Sequence, residues 1–312
     1  MFSQWRTISI VEIAFYFLLI IFSVIPAFKI FFSKSKFKRF YIRYSLLVFS
    51  KVVSGCLLVA YIEQLNNYAS GKSQNEGDIN LLVAALVLTS ISFGFINILT
   101  NFVISYTDEF YLPPKEKVKG IVKVLEMVIP ISALIELSKG NYILASEFFV
   151  SNLTFYALIL NIVGATRMGD TGVASRTTTK QIMEASSILF AIIIVLNGLF
   201  AARKIYHQRS PYFTRILWTS LFISPLLLVR IIYSIGAAFT FNVDGTFTEN
   251  TSKFTFLFGD WRLFLGLSFV EEFICTVLLC VTSWIVYIGE PKEKDFEYSE
   301  YSAYSKEFNE SA

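Results

Sequence analysis

An all-α bundle of membrane-spanning helices is the fold class this sequence predicts, and three observations carry the prediction. Hydrophobic residues make up 54% of the 312 residues and charged residues only 16%, far more apolar than an average soluble domain. The apolar residues gather into stretches close to the roughly 20 residues that a helix needs to cross the hydrocarbon core. Within those stretches the remaining charges are few and isolated.

Eight apolar stretches run along the chain, at residues 8–32, 44–64, 81–105, 118–137, 143–165, 182–202, 216–240 and 261–288. If all eight cross, Lys and Arg are shared almost evenly between the two faces. The fourth stretch is the weakest span, because Lys119, Lys123 and Glu126 line one face at helical spacing and Pro130 interrupts it. It is therefore expected to be an interfacial or re-entrant helix near 118–137. With seven crossings, the inner side collects the basic cluster Lys34 to Arg43, the five lysines from Lys115 to Lys139, Arg203, Lys204, Arg209 and Arg215, and the tail lysines Lys292, Lys294 and Lys306. The outer side keeps only Lys72, Arg167, Arg176, Lys180 and Lys253. That asymmetry satisfies the positive-inside rule, with the N-terminus outside and the C-terminus in the cytosol of a plasma membrane or endomembrane protein.

Other signals fit the same orientation. Trp5 and Trp261 fall at the expected outer boundary and Trp218 and Trp284 at the inner one, where indoles prefer to sit. The Asn250-Thr251-Ser252 sequon falls in an outer loop, although similar triplets at Asn152 and Asn309 lie in a span and in the tail. The N-terminus has neither the charged head nor the cleavage site of a removable signal peptide, so the first helix is expected to stay. Two regions result: a seven-helix domain over 1–289, and an acidic, disordered cytosolic tail over 290–312 with Tyr-Ser pairs at Tyr298, Tyr301 and Tyr304. Cys56, Cys275 and Cys280 all lie in apolar stretches and are expected to be small core residues.

The stranded charges are the candidate site. A charge at the bilayer centre costs roughly 2.5–3.5 kcal/mol on insertion scales, so it is expected to face the bundle interior with a partner. At 1.5 Å per residue, Arg230 lies about 15 Å below the outer end of its span and Glu271 about 17 Å below the start of the next. Lys51 lies about 20 Å below the outer surface, level with Glu272, whereas Glu12 is shallower. Arg230 is expected to meet one glutamate and Lys51 the other. Either the pairs hold helices in register, or they line a polar cavity for a ligand, ion or proton, with Tyr233, Asn101, Asn97, Asn161 and Asn197 nearby.

Several segments also resemble a known family. Val11 to Tyr16, Lys51 to Gly55, Ile159 to Thr166, Pro225 to Ser234 and Glu271 to Ile274 are similar to an uncharacterised family of fungal seven-helix integral membrane proteins. The resemblance covers most of the chain, and its most specific piece is Pro225 to Ser234 followed by the glutamate pair. It implies seven spans and carries no activity. The chain departs from the family at Lys51, where an arginine is usual, and at 118–137, which resembles an insertion.

Catalytic classes lack their residues. His207 is the only histidine, which excludes histidine-built zinc and bis-histidine haem sites. No nucleophile elbow or phosphate cradle occurs. The expectation is a non-enzyme with no metal, no cofactor and no nucleic-acid partner. A receptor-like or signalling protein in the lipid bilayer is favoured, with an unknown small ligand or solute and a cytosolic signalling partner on the basic loops and tail. A secondary transporter or channel with a mid-membrane polar site, or a non-catalytic scaffold, are the alternatives.

Overall fold

A computed structural model of the chain describes residues 2–32, 37–72, 77–107, 142–169, 172–208, 210–242, 252–257 and 259–289. Within them the chain is helical, and seven helices are long and apolar enough to cross a membrane. They are α1 (Phe2–Phe32), α2 (Lys38–Ala69), α3 (Ile79–Tyr106), α4 (Tyr142–Thr166), α5 (Val173–His207), α6 (Pro211–Phe239) and α7 (Trp261–Gly289). The all-α seven-span expectation is borne out. The 118–137 stretch, the tail and the sequon residues Asn250 and Thr251 lie outside the described residues.

The helices outrun the apolar stretches because polar residues extend their ends into the interface. Arg176 and Lys180, read as loop cations, sit in the opening turns of α5. Local chemistry sets several starts. Asp78 caps α3 by accepting from the Asn80 amide at 3.0 Å, and Asp260 caps α7 by accepting from Arg262 at 2.9 Å. Pro211 opens α6, where its missing amide hydrogen costs nothing. Gln64 Oε1 accepts from the Asp78 amide at 2.8 Å, tying the end of α2 to the start of α3.

Consecutive helices pack side by side, and α7 closes the ring against both α1 and α6, while α3 also reaches α6 and α7 from within. The surface is apolar, with Phe17, Phe22, Phe28, Phe49, Leu199 and Ile232 all exposed, whereas many polar side chains point inward. That is the inverse of a soluble protein and matches a lipid surround. At the end of the bundle where α1 and α7 finish, Lys29 Nζ donates to the Tyr287 carbonyl at 3.1 Å and Lys204 Nζ to the Ile104 carbonyl at 3.0 Å, clamping α1 to α7 and α5 to α3.

Two expectations change. Trp5 is buried against Phe256 and Phe264 instead of sitting in the interface, because the loop before α7 folds over the start of α1. Cys56 faces outward and is not a core residue, while Cys275 and Cys280 are buried. Pro225 leaves α6 continuous, and the irregular span is α7, which makes a π turn at Leu265–Phe269 just before the glutamate pair.

Gly55 lets α1 and α2 approach: a Cβ there would lie 2.8 Å from Ile13 Cγ1 and 3.4 Å from the Ser9 carbonyl oxygen. Small residues serve this purpose where lipid offers no hydrophobic drive for helix association. Gly55→Val is expected to destabilise the bundle by roughly 1–3 kcal/mol, as overpacking does. The check is a lower unfolding temperature of the protein in nanodiscs.

Candidate functional site: a buried charge network

Four helices deliver the stranded charges to one place. Glu272 of α7 is fully buried and pairs with Arg230 of α6 and with Lys51 of α2. Its Oε1 accepts from Arg230 Nε, and its Oε2 contacts Lys51 Nζ. Lys51 Nζ also donates to Glu12 Oε1 of α1 at 3.3 Å. One carboxylate thus carries two cations, and the second cation carries another carboxylate. Glu12, Lys51, Glu272 and Arg230 sum to zero charge when all are ionised, which removes most of the cost of placing each in hydrocarbon.

Each charge is further held by its own helix or a neighbour. Arg230 Nη1 donates to Ser234 Oγ at 2.6 Å, one turn along α6. The guanidinium lies 4.9 Å from the Phe93 ring of α3 and 5.7 Å from the ring of Tyr233. Lys51 Nζ lies 5.8 Å from the Tyr16 ring. Cation–π contact of this kind is worth about 2 kcal/mol when desolvated.

The pairing differs from a one-to-one scheme. Arg230 takes Glu272, and Glu271, although level with it, has no ion pair among the described residues. Consecutive residues point about 100° apart on a helix, so only one of the pair can face α2 and α6 together. Glu271 is buried near enough to Arg230 to feel its charge, and its Oε2 has no hydrogen-bond partner. Glu12, one of the candidate charges and the shallower one along its span, takes its place in the network through Lys51, whose long side chain spans the gap between α1 and α2.

The asparagines stay apart. Asn101 is buried on α3 with Oδ1 unpartnered and makes no ion or hydrogen bond with the network, and Asn97 Nδ2 donates to the Phe93 carbonyl at 3.0 Å. Asn197 is buried on α5. Ser234, Tyr16 and Thr276 were missed in the sequence. Each lies one helical turn beyond Arg230, Glu12 or Glu272, a spacing that searching outward from each charge would have found. Phe93 gives no such signal.

An open groove between α1 and α7, lined by Ser3, Thr7, Val11, Trp261, Leu265 and Phe269, lies nearer the N-terminal ends of these two helices than the network does. Among the described residues no cluster of His, Cys, Asp and Glu is arranged to hold a metal.

The fold and this site define an integral multi-pass membrane protein whose helices are joined by a buried ion-pair network. Residues 121–287 match a domain of unknown function, DUF7702. The chain belongs to that family. The match takes in α4 to α7, with Arg230 and both glutamates, and leaves out Glu12 and Lys51. It starts at residue 121, so most of the 118–137 stretch falls inside the matched range. No curated protein and no solved structure matches the chain.

Proposed function

We propose that this protein is a receptor-like, non-catalytic membrane protein in which the Glu12–Lys51–Glu272–Arg230 network locks α1, α2, α6 and α7 in one register. The observation that carries the lock is Glu272, fully buried and shared by cations from two other helices. A ligand-lining carboxylate would keep an open side; this one is enclosed. Seven spans and a continuous α6 support a receptor-like body over a transporter built on broken helices. The outer groove is a place for a small ligand, and the basic inner ends of α2 and α5 are a place for a cytosolic partner. The resemblance to fungal proteins suggests the source, and no cofactor is part of the reading.

A transporter is the second reading, favoured by Glu271, a buried carboxylate with an unpartnered oxygen beside Arg230. Purified protein in liposomes separates the two. No flux of labelled solutes across a broad panel, together with a change in cytosolic signalling on deletion in cells, is the receptor result; protein-dependent flux overturns it.

The orientation is tested by protease protection. In sealed cells, external protease is expected to leave a tag after residue 312 intact and to cut a site inserted at residues 170–171. Digestion of the tail tag from outside contradicts the N-outside arrangement.

A further inference from the structure

A row of buried hydroxyls leads away from the charge network. On α7, Glu272, Thr276, Cys280 and Ser283 share one face at helical spacing, and all are buried. Opposite them stand Tyr16 of α1 and Tyr44 and Tyr41 of α2, each buried. Each tyrosine hydroxyl lies within side-chain reach of a polar group of that α7 face, Tyr16 of Thr276, Tyr44 of Cys280 and Tyr41 of Ser283, with none of the three closed into a well-formed hydrogen bond.

The register is consistent from three helices. α2 runs against α1 and α7, so falling numbers on α2 and rising numbers on α1 and α7 lead to the same inner end. From the charge level, Tyr16 and Thr276 each lie four residues inward, about 6 Å at 1.5 Å per residue. Tyr44 and Cys280 lie about 10–12 Å inward, and Tyr41 and Ser283 about 15–16 Å. The row ends one turn from the start of α2 at Lys38.

Buried hydroxyls without partners are costly unless water completes their bonds. Thr276 Oγ1 donates to the Glu272 carbonyl at 2.7 Å and Ser283 Oγ to the Leu279 carbonyl at 3.1 Å, so both oxygens keep lone pairs free to accept. Tyrosine hydroxyls both donate and accept. A file of this composition supplies the polar partners that a bridging water uses to link one group to the next.

We propose that this file is a hydrated proton path that connects the inner face to Glu12. A proton enters from the inner aqueous phase, passes along water and the Tyr41, Tyr44 and Tyr16 hydroxyls by exchange of hydrogen-bond partners, and ends on the Glu12 carboxylate. The cluster gains one positive charge, and no other bond changes. Glu12 is the acceptor because it holds a single cation through one 3.3 Å contact, whereas Glu272 holds two. The groups that face Glu12 are Lys51 from α2 and Glu272 from α7, with Tyr16 on its own helix and Arg230 behind Glu272. Glu271 points to the Arg230 side and away from the file. The proposal stands whether or not the protein is a receptor.

The test is infrared difference spectroscopy of the full chain in phosphatidylcholine nanodiscs on mild acidification, in H2O and in D2O. A protonated-carboxyl band is expected to grow with acid and to shift in D2O. It is expected to vanish in Glu12→Gln and persist in Glu271→Gln. Tyr44→Phe keeps the ring and removes only the hydroxyl. It is expected to leave the band in place and slow its deuterium exchange about tenfold, the factor set by one lost hydrogen bond. The Tyr44→Phe arm decides the matter independently of how well Glu12→Gln folds. No acid-dependent band in the unaltered protein, a band lost in Glu271→Gln instead, or unchanged exchange in Tyr44→Phe overturns the proposal.

Discussion

Glu272→Ala is expected to destabilise the folded bundle by roughly 3–5 kcal/mol, the range seen when one partner of a buried ion pair is removed. The reason is specific to this site: both Arg230 and Lys51 lose their shared carboxylate. Lys51 keeps Glu12, at 3.3 Å, but Arg230 is left with Ser234 and two aromatic faces in an apolar interior. In cells the consequence is loss of mature protein, read as surface abundance; in nanodiscs it is a collapse of the unfolding temperature. The neighbouring Glu271→Gln is the control. It removes a carboxylate that has no ion pair among the described residues, and its effect is expected to stay under about 1 kcal/mol. Equal losses for the two variants would mean that the position in the helix, and not the pairing, sets the cost.

The second large effect concerns the far end of the network. Lys51→Met leaves Glu12 as an unpaired buried charge and is expected to be strongly destabilising. Adding Glu12→Gln in the same chain removes the orphan, and the double variant is expected to recover about 1–3 kcal/mol, the coupling typical of residues in one ion-pair network. Glu272 keeps Arg230 throughout. Simple addition of the two single losses would place Glu12 outside the network.

Much of the architecture was legible because lipid imposes a one-dimensional rule. Spans must be long and apolar, so runs such as those of α3 and α6 declare themselves, and Lys/Arg asymmetry ranks the alternatives. Rise per residue also placed Lys51 level with Glu272, and the two are in contact. The same arithmetic set Glu12 shallower than the others without naming its partner, since depth along one helix ignores how far a lysine reaches. It could not choose between Glu271 and Glu272 either, because the choice depends on the rotation of α7, and no residue pattern reveals a π turn at Leu265–Phe269. Cys56 failed for a related reason: an apolar stretch has two sides, and periodicity is faint when both lipid and core are apolar; Trp5 precedes its stretch, and the loop that covers it is a long-range contact with no local pattern. Pro225 leaves α6 unbroken, since a membrane helix tolerates proline when neighbouring groups take up the freed backbone.

The lock itself is tested most directly by comparing Glu272→Gln alone with the double variant Arg230→Met, Glu272→Gln. The single variant leaves two cations against one carboxylate; the double leaves Lys51 facing Glu12, in balance. Unfolding in nanodiscs is expected to find the double variant more stable than Glu272→Gln by about 2 kcal/mol or more, since removing an orphaned buried charge returns its desolvation cost. A double variant no more stable than Glu272→Gln would contradict a network held together by charge neutralisation.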